Sequence, residues 1–281
     1  ELVHVMANSG WAWHLFAAPA LWIAWLRGVP TVVNYRGGDA DAFFARQFRL
    51  VRPTLERAGV VAVPSGFLDA VFTKYGITTS VVPNIVNLDA FRPADALPAQ
   101  PHLLVTRNLE PIYDIATALR AFAIVAGRHA EARLTVAGSG PDRDMLEQLA
   151  RELGIAEHVR FTGRLDNAEL PALYRTASVV VNASLVDNMP ISLLEAMASG
   201  VPIVSTKVGG IAQMVEHEVT ALLVPPKEPV AMANAILRLL GDRQLALRLR
   251  TAGIEAAQRY AWPEVRVALF DVYTRALGRS R

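Results

Sequence analysis

The chain has 281 residues, 52% of them hydrophobic, so it can bury a sizeable core and is long enough for two domains. It has no cysteine, which excludes a disulfide framework and fits a reducing cytoplasm. The formal net charge is +2, carried almost wholly by arginine; there is no run of five basic residues and no base-reading motif, which speaks against nucleic acid as a partner.

The order of elements is strand, helix, strand, helix throughout, which implies parallel sheets with crossover helices. The first half offers strands at 2–6, 31–35, 60–64 and 80–84, with helices near 41–58 and 67–75. Residues 10–28, "GWAWHLFAAPALWIAWLRG", are interrupted by His14 and Pro19 and fall short of the roughly 20 residues of a membrane span. A buried crossover helix is the preferred reading. The tryptophans at 11, 13, 22 and 25 keep a peripheral membrane contact as the rival one.

Residues 91–101, "FRPADALPAQP", break the rhythm with three prolines and read as a linker. The predicted division is 1–97, with 262–281 packing back on it, and 98–261. The second series has strands at 102–106, 133–138, 159–163, 178–183, 202–206 and 221–225. Helices are expected at 114–127, 142–153, 168–176, 190–199 and 210–215, before a final helical region. The arginines of the last helix (266, 275, 279, 281) read as a solvated face.

Open parallel sheets bind ligands beyond the carboxyl ends of their strands. In the second half those ends carry Arg107, Gly138-Ser139-Gly140, Gly163-Arg164-Leu165, Asp187-Asn188 and Lys207-Val208-Gly209-Gly210. Glycines let backbone amides approach an anion and arginine supplies a planar fork, so the set suits phosphate and sugar recognition. Pro190 and Gly200 bracket a helix on which Leu193, Met197, Leu194, Ala198 and Ile191 fill one apolar arc. Glu195 falls at the edge of that arc, beside Ser192 and Ser199. Two readings stand for it: a boundary carboxylate paired with an arginine, or a carboxylate turned into a cleft to accept hydroxyl hydrogen bonds.

The run Asp187-NMPISLL-Glu195-AMASGVPIVSTKVGG resembles the glutamate–seven residues–glutamate signature of glycosyltransferase family 4. Those are retaining, nucleotide-sugar-dependent enzymes of the GT-B fold, an α/β architecture of two Rossmann-like domains with parallel sheets. "VVAVPSGFL" (60–68), "VVPNIVNLDAF" (81–91), "LTVAGSGPDRDML", "VRFTGRL", "LPALYRTASVVVNAS" and "RYAWPEV" are similar to family segments in the same order.

The resemblance implies roles. Glu195 would bind the nucleotide ribose and Asp187 would lie by the donor sugar, with Asn188, Met189 and Pro190 following it. Arg107 would bind the diphosphate, amides near Ser192 and Leu193 would contact phosphate, and Arg164 and Leu165 would flank the base. The glycine turn 138–140, Lys207, Gly209 and Gly210 complete the donor side. Gly37, Ser65 and Asn84 fall on the interdomain or acceptor side. A UDP- or GDP-sugar is the implied co-substrate, with no metal and no other cofactor. A sugar or lipid-linked acceptor is implied, as is a place in cell-envelope polysaccharide synthesis, in the cytoplasm or peripherally on the inner membrane.

The chain departs from the family pattern in three places. Asp187 replaces the usual glutamate, no lysine follows Arg107, and Arg36 stands where many members have a histidine. Arginine cannot shuttle a proton at neutral pH, so Arg36 would instead hold a phosphate or an acidic acceptor. By the same likeness, roughly two βα units, on the order of 60–90 residues, would precede Glu1 in a family N-domain. That leaves a non-catalytic nucleotide-binding module as an alternative. A pyridoxal-phosphate phosphorylase is a more distant one, with Lys207 as its only lysine on the sheet edge.

Overall fold

The computed structural model describes residues 1–98 and 100–278; Arg279 and Arg281 of the basic face expected on the last helix lie outside the described residues. The chain divides into two compact units: Glu1–Asn84 with Asp187–Met189 and Trp262–Arg281, and Ile85–Val186 with Pro190–Ala261.

The first unit holds β1 (Val3–Ala7), α1 (Ala18–Leu26), β2 (Thr31–Tyr35), α2 (Ala40–Leu55), β3 (Val60–Val63), α3 (Gly66–Lys74) and β4 (Ser80–Val81). These strands make a parallel four-stranded sheet in sequential order, β1-β2-β3-β4. Val33, Tyr35, Val61 and Val63 face one side and pack with Phe44, Leu68 and Phe72. Val32, Val60 and Ala62 face the other and pack with Val265, Val272 and Ala276 of the last helix. Both faces are therefore covered, as the near-continuous apolar runs of β2 and β3 require.

The expectation of a buried helix over 10–28 is corrected. A π-helical turn (Trp13–Ala17) leads into α1, and only the stripe Trp13, Ala17, Leu21 and Ala24 is buried. Trp11, Leu15, Phe16, Ile23 and Leu26 are exposed. Among the described residues β1 is the outermost strand of its sheet, and the helix that follows it has neighbours on one face. Among the described residues no helix is long and apolar enough to cross a membrane.

The second unit contains β5 (His102–Val105), α4 (Ile115–Ala126), β6 (Arg133–Ala137), α5 (Arg143–Glu152), β7 (Val159–Gly163), α6 (Leu170–Thr176), β8 (Val179–Asn182), α7 (Ile191–Ala198), β9 (Ile203–Thr206), α8 (Ile211–Met214), β10 (Leu222–Val224), α9 (Pro229–Gly241) and α10 (Arg243–Ala257). The closing helix α11 (Trp262–Gly278) belongs to the first unit. The second sheet is parallel with strand order β10-β9-β8-β5-β6-β7. Its core joins Leu103, Val105, Leu134 and Val136 to Leu119, Phe122, Met232 and Ile236 of α4 and α9.

From β5 the chain winds outward through β6 and β7, then returns to place β8 on the other side of β5. The winding direction reverses between β5 and β8. In open α/β sheets a ligand crevice forms at that switch point, beyond the carboxyl ends of the two strands.

Candidate functional site

The turns beyond β5, β6 and β7 are locked together through their backbones. Leu109 N–H donates to the Ser139 carbonyl at 3.0 Å, Asp142 N–H to the Leu109 carbonyl at 3.0 Å, and Gly138 N–H to the Gly163 carbonyl at 2.9 Å. The two glycines of Gly138-Ser139-Gly140 are there because backbone occupies their side-chain space. A Cβ on Gly138 would stand 2.0 Å from the Arg107 carbonyl oxygen, and one on Gly140 2.2 Å from that of Leu109. Gly163 has a positive φ of 73°. The motif read as a phosphate cradle packs against the Arg107 turn. Arg107 is half-buried, with its guanidinium 4.0 Å from the centre of the Tyr113 ring. Ser139 and Arg164 are exposed, and Leu165 is half-buried.

On the other side of the switch point, α7 follows β8. Leu193, Leu194, Met197 and Ala198 are buried, whereas Ile191, expected in the same arc, is exposed at the first turn. Gly200 closes the helix with φ 63°. Pro190 stands at the N-cap and no side chain caps the helix, although the Leu193 N–H already donates to the Pro190 carbonyl at 3.2 Å. The buried Ser192 hydroxyl points into protein with no hydrogen-bond partner among the described residues.

Among the described residues no arginine pairs with Glu195. Its Oε2 accepts from the Tyr174 hydroxyl at 2.9 Å. Burial raises its pKa from 4.5 to about 7, against the opposing pull of the Tyr174 hydrogen bond. Tyr174 is fully buried, and its own pKa is pushed well up by burial and then by the neighbouring carboxylate. It also meets the Ser192 carbonyl at 3.0 Å and the Thr106 hydroxyl at 2.7 Å, one residue before Arg107. Sequence reasoning missed Tyr174 and Thr106. The signal available was a tyrosine in "LPALYRT", which reads equally well as core.

Lys207 is exposed after β9, followed by Gly209 with φ 49° and a buried Gly210. Beneath this edge runs a buried polar ladder that the sequence reading also passed over. Asn182 donates to Ser205 at 3.0 Å, Ser184 to Asn182 at 2.9 Å, and Thr206 to the Ser184 carbonyl at 2.6 Å.

In the first unit, Ser65 caps α3 by accepting from Leu68 N–H and donates to Asn188 Oδ1. The Asn84 side chain donates to the Met189 carbonyl at 2.6 Å, and Asn188 N–H donates to Asp187 Oδ1 at 2.8 Å. Ser65, Asn84 and the segment Asp187–Met189 are thus brought together. Arg36 follows β2 and donates through Nε to Asn34 Oδ1 at 2.7 Å; burial lowers its pKa. No carboxylate pairs with it among the described residues. Gly37 lies against the turn after β1, its Cβ position 2.5 Å from Asn8 Oδ1 and 2.7 Å from Ser9 Oγ.

Among the described residues no group of three His, Cys, Asp or Glu side chains is gathered in a metal-ligating cluster. A cavity of about 750 Å³ sits at the opposite, amino end of the second sheet, lined by Arg133, Arg160 and Arg175 but also by Glu131 and Glu157. Its charges nearly balance, and none of the turns described above reaches it.

Residues 90–256, more than half of the chain, match the family model of glycosyl transferases group 1. A D-inositol 3-phosphate glycosyltransferase of Thermobispora bispora is 34% identical over 69% of the chain and 50% of its own length. A GDP-mannose-dependent alpha-(1-6)-phosphatidylinositol monomannoside mannosyltransferase of Mycobacterium tuberculosis is 30% identical over 79% of the chain and 64% of its own length. The chain spans about half the length of the curated relatives it matches. Among solved structures, a sucrose-phosphate synthase of Thermosynechococcus elongatus superposes with a TM-score of 0.84 at 26% identity, over 99% of this chain and 74% of the other. Anabaena HepE in complex with UDP gives 0.84 at 19% identity, over 98% and 78%. The fold is GT-B, and the chain belongs to the group 1 glycosyltransferases.

Proposed function

We propose that this chain takes part in transfer of a sugar from a nucleotide diphosphate sugar to an acceptor, with retention at the anomeric carbon as in the family 4 enzymes it resembles. The observation that carries this reading is the placement at the β5/β8 switch point of three things: Arg107, the amino end of α7, and Glu195. Cleaving the sugar–phosphate bond leaves charge on the diphosphate. A guanidinium and the amides of a helix amino end, both fixed before reaction, stabilise such charge. A carboxylate with one oxygen to spare accepts hydrogen bonds from ribose hydroxyls. Asp187 is assigned to the donor sugar. Gly138–Gly140, Arg164, Leu165, Lys207, Gly209 and Gly210 frame the nucleotide, and no other cofactor is invoked.

UDP and GDP are the nucleotides favoured. The Anabaena neighbour was crystallised with UDP and with UDP-glucose, and the mycobacterial relative is named for GDP-mannose. On the acceptor side Arg36 is assigned to an anionic group of the acceptor, because a half-buried guanidinium without a carboxylate partner calls for an anion. Relatives named for inositol 3-phosphate and for phosphatidylinositol monomannoside support that assignment.

A thermal-shift panel with UDP, GDP, ADP and CDP, on the wild type and Glu195→Ala, tests the reading. At a hundredfold excess over Kd a ligand contributes about 2.7 kcal/mol, a rise of several degrees at this size. One nucleotide should raise the midpoint of the wild type and leave Glu195→Ala unmoved. No rise with any of them overturns the donor-site reading.

Peripheral contact with an anionic membrane is proposed for the exposed face of the first helix, where Trp11 and Phe16 are 77% and 72% exposed. Co-sedimentation with vesicles rich in anionic lipid should capture the chain, and Trp11→Ser with Phe16→Ser should release it. No capture of the wild type overturns this assignment.

A further inference from the structure

The buried hydroxyl of Tyr174 stands between the two halves of the proposed donor site. It meets Glu195 Oε2 at 2.9 Å, the Ser192 carbonyl at 3.0 Å and Thr106 Oγ1 at 2.7 Å. A phenol carries one proton. With Glu195 ionised, that proton serves the carboxylate and the Ser192 carbonyl, which leaves the phenol oxygen to accept from Thr106. The contacts link Thr106, Tyr174 and Glu195 in that order. Thr106 is bonded covalently to Arg107, and Glu195 lies on α7.

We propose that Tyr174 is a positioning residue for Glu195, fixing Oε2 so that Oε1 is held toward the nucleotide ribose and keeping that carboxylate in register with the Arg107 turn. The inference rests on the reading of Glu195 as a nucleotide-binding carboxylate. Packing alone does not account for the hydroxyl. The Tyr174 ring fills its site against Phe91, with centroids 5.6 Å apart and planes at 78°, and phenylalanine would make the same contact. The oxygen brings three polar groups together in a place where an apolar residue would otherwise serve.

The same hydroxyl offsets part of the effect of burial on Glu195. Burial raises the carboxyl pKa to about 7, and the Tyr174 hydrogen bond acts in the other direction. The titratable and charged groups facing the pair are Tyr174 itself, from α6, and Arg107, from the turn after β5. Loss of the hydroxyl therefore does two things: it frees the carboxylate to rotate, and it raises the pH at which the carboxylate becomes an acceptor.

The test is calorimetric titration of the whole chain with UDP and with GDP between pH 5.5 and 9, on wild type, Tyr174→Phe, Thr106→Val and Glu195→Gln. In wild type, affinity for the preferred nucleotide should fall as pH drops through about 7. In Tyr174→Phe the midpoint of that fall should move up by about one pH unit, and affinity at pH 7 should drop roughly tenfold. Thr106→Val should move the midpoint in the same direction by less, and it keeps the test open if Tyr174→Phe does not fold. Glu195→Gln should bind weakly with no midpoint in this range. Should Glu195→Gln bind as wild type does, the nucleotide reading of the carboxylate fails. Should Glu195→Gln bind weakly while Tyr174→Phe and Thr106→Val keep the wild-type midpoint and affinity, the positioning role alone fails.

Discussion

The Arg107 carbonyl oxygen lies 2.0 Å from where a Cβ of Gly138 would stand, so the two turns are in contact through bare backbone. A methyl group there has no flexible neighbour to displace; the Arg107 backbone itself must move. Gly138→Ala should therefore cost about 1–3 kcal/mol, the usual range for overpacking. It should also shift the arginine that the donor-site reading places on the diphosphate. Thermal unfolding with and without the preferred nucleotide separates the two effects. The expected result is a lower midpoint together with a smaller ligand-induced rise. A variant as stable and as responsive as wild type would show that the turn does not set the arginine.

Glu195 makes stability depend on pH in a direction opposite to most carboxylates. Its folded pKa of about 7 lies above the unfolded value of 4.5, so the native state holds more protons between those limits. Stability contributed by the protonated form is full below pH 4.5 and is lost as pH rises through 7. The whole swing is about 3 kcal/mol at most, since each unit corresponds to 1.36 kcal/mol and Glu195 is not fully buried. Urea denaturation of the ligand-free chain at pH 5 and pH 8 checks this: Glu195→Gln should remove the loss and be the more stable protein at pH 8. Equal pH dependence in the two would place the titration elsewhere.

Legibility in the sequence followed the reach of the forces involved. The strands and the donor-side turns could be read because their signals are local: β-branched runs such as "TVVNY", a proline before α7, and a glycine after it. The switch point between β5 and β8 is a matter of strand order, which no local pattern encodes; it became visible only in the sheet. Tyr174 is a core tyrosine by every sequence criterion, and its role depends on groups 68 residues earlier and 21 residues later. The segment 10–28 misled in a different way. Its apolar residues are nearly continuous, which reads as buried on all sides, but among the described residues only the Trp13, Ala17, Leu21 and Ala24 stripe is covered.

Ser65 joins two functions in one hydroxyl: it caps α3 and it holds Asn188. Ser65→Ala loses the cap, about 1 kcal/mol, and strands the Asn188 amide oxygen, which is buried, for about as much again. Ser65→Gly keeps more of the capping stability but not the Asn188 contact. Hydrogen exchange at Asn188 and Met189 is the readout that distinguishes them. Both variants should exchange faster there, and only Ser65→Ala should lose most of its stability at α3. Unchanged protection at Asn188 in both would mean that Asn84, through the Met189 carbonyl, suffices to hold the segment.

Arg107 carries two contributions that different substitutions separate. Its guanidinium lies 4.0 Å from the centre of the Tyr113 ring, a cation–π arrangement that lysine can also make, though with a smaller and more strongly hydrated head. What lysine lacks is the planar fork that meets two phosphate oxygens at once. Arg107→Ala should lower turnover of the donor by about two orders of magnitude, the scale of losing one preorganised donor to a developing anion. Arg107→Lys should recover nucleotide affinity more than turnover, because charge attracts the ground state while fixed geometry favours the transition state. Release of nucleoside diphosphate from the donor sugar, measured beside Kd for the same nucleotide, gives both quantities. Equal losses in rate and affinity for Arg107→Lys would assign the arginine to uniform binding of the diphosphate and remove it from the chemical step.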